Sequence, residues 1–242
     1  MRTLVIGDIH GGLRALEQLL ETVRLSEDDM LIFLGDYVDG WSESAQVISR
    51  LIELSKTNDC VFIKGNHDVW CEDWLNDGTA NPIWLKHGGE ETIESYTGFT
   101  DFEKNRHLEF FEAMPLYHID DDKRLFLHAG FTSMHGVEHE IHKETLYYDR
   151  TLWEMALTMD RRIQPSSDLY PKRLIHYTEI YIGHTPTLYY QEDTPMKAAN
   201  VYNLDTGAAF TGKLSAMDII SKKVFQSDTV MHLYPHEMGR NK

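Results

Sequence analysis

Leu4-Val5-Ile6-Gly7-Asp8-Ile9-His10-Gly11 carries three apolar residues, a glycine, and then a carboxylate and an imidazole two positions apart. The same arrangement recurs twice within the first seventy residues. Leu31–Leu34 runs into Gly35-Asp36, and Val61–Ile63 runs into Gly65-Asn66. Between these runs, Leu13, Leu16, Leu19, Leu20 and Val23 repeat at helical spacing, as do Val47, Ile48, Leu51, Ile52 and Leu54. Short apolar strands alternating with amphipathic helices predict βαβ units, a mainly parallel sheet and an α/β fold. In such sheets ligands bind beyond the carboxyl ends of the strands, where all three Gly-Asp or Gly-Asn pairs fall.

Working outward, the texture changes between about residues 72 and 116. Tryptophan, glutamate, lysine and phenylalanine dominate there, punctuated by Pro82 and Gly88-Gly89. Helices are expected near 81–96 and 103–113, as a helical cap inserted over the site. Beyond Tyr117, strand-like runs return at 124–127, 180–182, 199–204, 214–220 and 223–226. Their spacing predicts a second, largely antiparallel sheet stacked on the first. The segment 133–176 reads as connection with one helix near 152–157, and 235–242 reads as a frayed tail. No repeat or linker divides residues 1–242, so one domain is expected.

The chain has 242 residues, with 39 Asp and Glu against 23 Lys and Arg, a formal net charge of −16. That field argues against a nucleic-acid polymer or an anionic membrane as partner. It leaves room for a locally cationic pocket. No run approaches the roughly 18 apolar residues of a membrane span, and the first residues lack a signal-peptide core, so cytoplasm is the expectation. Cys60 and Cys71 lack the spacing of a redox or metal pair and read as free, buried thiols.

Chemistry concentrates at the strand ends. Gly7-Asp8-Ile9-His10-Gly11, Gly35-Asp36-Tyr37-Val38-Asp39-Gly40 and Gly65-Asn66-His67-Asp68 are joined by His128 in Phe126-Leu127-His128-Ala129-Gly130 and His184 in Ile182-Gly183-His184-Thr185-Pro186. Strand alternation would let Asp8 and His10 aim at one point. Oxygen and imidazole donors without thiolate suit divalent ions such as manganese, iron or zinc. Six such donors with one bridging carboxylate fit a pair of ions. Taken singly, each motif is as readily a helix cap, a turn or a core histidine; their order along the chain gives them weight.

Together these motifs resemble the calcineurin-like metallophosphoesterases, near the bacterial phosphoprotein phosphatases and the symmetrical diadenosine tetraphosphate hydrolases. The resemblance spans residues 4–212. It implies a β-sandwich of mixed sheets flanked by helices, and a dinuclear centre. Asp8, His10 and Asp36 would hold one ion, with Asp36 bridging to a second held by Asn66, His128 and His184. Manganese is the first choice, with iron, zinc and nickel compatible. His67 would be the general acid, oriented and kept charged by Asp39. In Asn203-Leu204-Asp205-Thr206-Gly207 the resemblance implies a strand end whose Thr206 or Gly207 nears the ions without binding them.

Two departures stand out. The family pattern places an arginine after Asp39, where this chain has Gly40-Trp41, and a glutamate where it has Asp68. Arg150, in Tyr148-Asp149-Arg150-Thr151, is the candidate replacement anion clamp, against the plainer reading of a surface residue paired with Asp149. His135, His139 and His142 read as a solvated face. Trp70, Trp74 and Trp84 read as core rather than as a base-stacking surface. The implied activity is metal-dependent phosphoester hydrolysis with a metal-activated hydroxide. A phosphorylated protein is the first substrate, through a serine/threonine or dual-specificity phosphatase. A dinucleoside tetraphosphate or other small nucleotide is the alternative.

Overall fold

The computed structural model describes residues 2–241. Ten strands form two five-stranded mixed sheets. The first contains β1 (Thr3–Ile6), β2 (Met30–Phe33), β3 (Cys60–Phe62), β9 (Lys213–Asp218) and β10 (Val224–Thr229), ordered β10-β9-β1-β2-β3. The second contains β4 (Tyr117–Ile119), β5 (Leu125–Leu127), β6 (Ile180–Ile182), β7 (Met196–Ala198) and β8 (Val201–Asn203), ordered β4-β5-β6-β8-β7.

The period-two alternation of strands sorts the core into layers. In β1 and β2, Leu4, Ile6, Leu31 and Phe33 face α1 (Leu13–Val23) and α2 (Ser44–Leu54), while Val5 and Ile32 face the other sheet. The second sheet mirrors this. Leu125, Leu127, Ile180 and Ile182 pack with α8 (Thr151–Thr158), whereas Phe126 and Tyr181 point inward and stack at 5.0 Å. The result is a helix–sheet–sheet–helix sandwich with fully buried apolar runs, as two-sided burial requires.

The expected second sheet is corrected in two ways. It is not largely antiparallel, because β5, β6 and β8 run parallel at its centre and only the edges β4 and β7 oppose them. The runs at 214–220 and 223–226 belong instead to the first sheet, β9 antiparallel to β1 and β10 antiparallel to β9. Periodicity shows that a strand exists but not which neighbour it pairs with.

Residues 66–112 form α3 (Asn66–Asp77), α4 (Pro82–Trp84), α5 (Glu90–Ser95) and α6 (Asp101–Glu112), with a π turn over Leu85–Gly89. Cys71 is buried and Cys60 half-buried; both are free, and burial helped by Asp59 pushes the Cys60 thiol up to about 12. The tail expected to fray is tied down as far as Asn241. After α9 (Val230–Leu233), Tyr234 stacks on Trp41, and Ser42 donates through N and Oγ to the Glu237 carboxylate. Among the described residues, no helix is long and apolar enough to cross a membrane.

Phe126 lies wholly between the sheets. Phe126→Ala should cost about 3–5 kcal/mol by opening a cavity there. A guanidinium melt should show a lower midpoint at unchanged slope; an unchanged midpoint would contradict this packing.

Candidate metal centre and active site

Every parallel strand delivers a polar residue from its carboxyl end. Asp8 and His10 follow β1, Asp36 follows β2, Asn66 and His67 follow β3, His128 follows β5, His184 follows β6, and Asp205 follows β8. Stacking the sheets with these ends on one side brings residues 176 positions apart into contact: the His184 amide donates to Asp8 Oδ2 at 3.0 Å.

Asp36 is the shared member. Its carboxylate forms one triplet with His10 and His67 and another with His128 and His184, the ligand atoms of each triplet lying within 4.8 Å of one another. His10 Nε2 is 3.6 Å and His128 Nε2 3.3 Å from Asp36 Oδ2. Asn66 Oδ1 lies 3.3 Å from the same His128 nitrogen. The far side of each ring is committed: His128 Nδ1 donates to Leu34 O at 2.8 Å, and His10 Nδ1 to Val38 O and Asp39 O at 3.1 Å. That tautomer leaves both Nε2 lone pairs aimed at the centre.

The expectation that strand alternation aims Asp8 and His10 is corrected. β1 ends at Ile6, and His10 sits at φ 53°, as do Asp36 at 53°, Asp39 at 75° and His184 at 66°. Left-handed backbone at non-glycine residues costs energy and is kept where a site needs it. Close approach is the second requirement. A Cβ on Gly183 would stand 2.0 Å from Asp8 Oδ1, and one on Gly65 would stand 2.2 Å from Asp36 Oδ1.

The donor set fits divalent ions. Asp8 Oδ1 is buried without a hydrogen-bond partner among the described residues, an arrangement expected of a ligand oxygen. Burial, reinforced by Asp205 and Asp36, pushes Asp8 well up. Burial likewise raises Asp205 to about 6 and Asp68 to about 7. At Asp36 burial opposes the charge, but His128, His67 and His10 together hold its carboxyl well down. So much buried negative charge is stable only beside cations.

His67 and Asp39 form the next layer. His67 Nδ1 lies 2.5 Å from Asp39 Oδ2, and the His67 amide donates to Asp36 Oδ1 at 3.0 Å. Trp84 Nε1 donates to Asp39 Oδ2 at 2.7 Å and Thr92 Oγ1 to Asp39 Oδ1 at 2.6 Å, so the helical segment holds this carboxylate. Burial drives His67 down to about 3 and Asp39 up to about 8. The two groups meet across a short, buried contact that orients the His67 ring.

Sequence reasoning overlooked several residues. Asp205 lines the cleft, whereas Thr206 Oγ1 turns away to donate to Lys213 O; the run Val201–Leu204 followed by Asp carried the same signal as the earlier motifs. Asp68 accepts from the amides of Asp36, Tyr37 and Gly65, clamping two ligand loops together. Trp70, Trp74 and Trp84 all pack with the core, and Trp70 also lines the cleft, its ring 16° from parallel with His87 and 6.2 Å away. Arg150 reaches the cleft with Nε 3.4 Å from His184 Nε2. It does not pair with Asp149, which instead caps α8 through Thr151 and Leu152. His135, His139 and His142 are exposed, away from the centre.

A mixed double sheet with donors at the strand ends defines a metal-dependent phosphoesterase. Residues 1–209 match the calcineurin-like phosphoesterase family, and the chain belongs to it, making it a phosphoric ester hydrolase. It is 30% identical over 234 residues to the asymmetrical bis(5′-nucleosyl)-tetraphosphatase PrpE of Anoxybacillus flavithermus, covering 88% of each chain. With the PrpE of Oceanobacillus iheyensis it shares 29% over 231 residues, covering 89% of this chain and 88% of the relative. A protein serine/threonine phosphatase from Saccharomyces cerevisiae has the same fold, with TM-score 0.61 at 16% identity over 90% of this chain and 73% of that one.

Asp36→Asn should remove metal and activity together, since one oxygen pair serves both triplets. Gly183→Ala changes no donor residue yet displaces Asp8, and should weaken manganese binding about 10–100-fold. Metal analysis after dialysis checks both; full occupancy in either variant would contradict the assignment.

Proposed function

We propose that this enzyme hydrolyses nucleoside polyphosphates, splitting a dinucleoside tetraphosphate asymmetrically, at a centre of two divalent ions, manganese first among them. The supporting observation is the cleft around the donors, a cavity of about 290 Å³ lined by His67, Trp70, His87, Tyr148, Arg150 and Arg240 among others. That volume lies at the low end for ligand sites, so a phosphate chain fits inside while a nucleoside stays at the rim. The Trp70–His87 pair and Tyr148 offer that rim a flat aromatic surface, which base stacking uses. The names of the PrpE relatives point the same way.

Asp8, His10 and Asp36 would hold one ion, and Asp36, Asn66, His128 and His184 the other. Bound there, the ions supply charge neutralisation and an activated water. The chain does the rest. Asp68 and the left-handed turns fix Asp36 before substrate arrives, which avoids reorganisation during reaction. His67 keeps Nδ1 on Asp39 and delivers a proton from Nε2 to the leaving oxygen. Arg150 binds phosphate at the His184 end.

His67 also falls in a triplet with His10 and Asp36, so it could instead be a ligand. His67→Asn decides between the roles. As the acid, it should lower kcat about 10²–10⁴-fold with metal content unchanged; loss of metal would make it a ligand.

The substrate is tested by turning over diadenosine tetraphosphate and a phosphoserine peptide side by side. A nucleoside monophosphate and triphosphate should form, with the dinucleotide preferred at least tenfold in kcat/KM. Two diphosphates would indicate symmetrical cleavage. A faster phosphopeptide would restore the protein-phosphatase reading, which the resemblance placed first.

A further inference from the structure

Arg240 lies near the end of the described chain, yet it stands in the wall of the cleft. Its backbone amide donates to Ala209 O at 2.9 Å, and Gly239 before it lies against Trp41. Tyr234, stacked on Trp41 and accepting from the Arg14 amide at 3.0 Å, anchors the segment from the other side. The Arg240 stem crosses directly over Gly40: a Cβ there would stand 3.1 Å from Arg240 Cγ and 3.6 Å from Cδ. Gly40 is at φ 115° and immediately follows Asp39, so the space that a side chain at 40 would occupy is taken by this arginine.

The guanidinium is uncommitted. Among the described residues it makes no hydrogen bond or ion pair, and its contact is the Phe210 ring, 5.4 Å away, which also lines the cleft. Most other arginines near structured parts of this acidic protein have found partners: Arg2 with Asp29, Arg50 with Glu17, Arg124 with Asp120, Arg173 with Asp149. An arginine left unpaired in a concave wall is a ready anion site, because its planar fork matches two phosphate oxygens. Arg150, at the His184 end, likewise has no carboxylate partner among the described residues. Arg240 stands at the His10 end, since its stem and the His10 carbonyl both lie against Gly40. The two cations thus flank the donors from opposite ends.

We propose that Arg240, carried in by the C-terminal segment, is a phosphate-binding residue that pairs with Arg150 to hold different phosphates of one linear polyphosphate chain. An orthophosphate or monoester, held at the ions, would reach at most one of them. A chain of three or four phosphates would reach both, so the pair selects for chain length. This rests on the polyphosphate reading above.

The test uses the full-length, manganese-loaded protein, titrated calorimetrically with inorganic tripolyphosphate and with orthophosphate, both in excess manganese. Arg240→Ala should weaken tripolyphosphate about tenfold or more, as loss of a charge-assisted pair implies, and orthophosphate less than about threefold. Arg240→Lys should recover part of the loss, keeping the charge without the fork. With diadenosine tetraphosphate, Arg240→Ala should raise KM far more than it lowers kcat. Unchanged melting temperature and metal content establish that the variants fold, and the lysine variant carries the comparison if alanine does not. Tripolyphosphate affinity within twofold of wild type, or an equal loss for orthophosphate, overturns the proposal. Failure of the polyphosphate reading itself looks different: the wild type would not turn over the dinucleotide, whatever the variants bind.

Discussion

A buried carboxylate in a left-handed turn, Asp36, is the constraint around which the rest is arranged. Its Oδ2 faces the Nε2 atoms of His10 and His128, its Oδ1 accepts from the His67 amide, and its own amide is held by Asp68. Burying such a charge is unfavourable unless it is paired and fully hydrogen-bonded. The neighbours supply that compensation, and each one used for Asp36 becomes fixed in position for chemistry. Asp68 shows this most clearly, since it also receives the Gly65 amide and so ties the β2 and β3 loops into one unit. The shorter aspartate, where the family pattern has glutamate, still spans three amides.

The sandwich explains why these loops can be held so tightly. Inward residues such as Val5, Ile32, Phe126 and Tyr181 lock the two sheets face to face, so the carboxyl ends of parallel strands from both sheets open on the same side. The strained turns at His10, Asp36, Asp39 and His184 are then over-determined by packing beneath them. The helices after β3 add a second support from above. Trp84 and Thr92 aim at Asp39, so a segment without any candidate ligand still governs the His67–Asp39 contact.

Charge follows the same logic. A chain with a net charge of −16 would repel a polyphosphate, and its buried aspartates would make the cleft worse. Against that field the cleft sets a donor cluster that fits divalent ions and two arginines without carboxylate partners among the described residues. Local arrangement, not overall composition, therefore decides what this protein admits.

Alternating apolar runs and helical periodicity were enough to show an α/β fold, and the ordered Gly-Asp, Gly-Asn and His motifs marked residues that the fold gathers at the strand ends. Those signals are local: a strand, its length and the residue just past its end are written within a few consecutive positions. What they left out is non-local. The pairing of β9 with β1, the place of Asp205 rather than Thr206 in the cleft, the second edge that Trp70 presents to that cleft, and the return of the segment around Arg240 to Gly40 all depend on contacts between distant parts of the chain. Spacing predicts how a segment curls, but only the packing of two sheets and a tethered tail determines which groups share a cleft, because that is set by the energy of the whole core rather than by any one stretch.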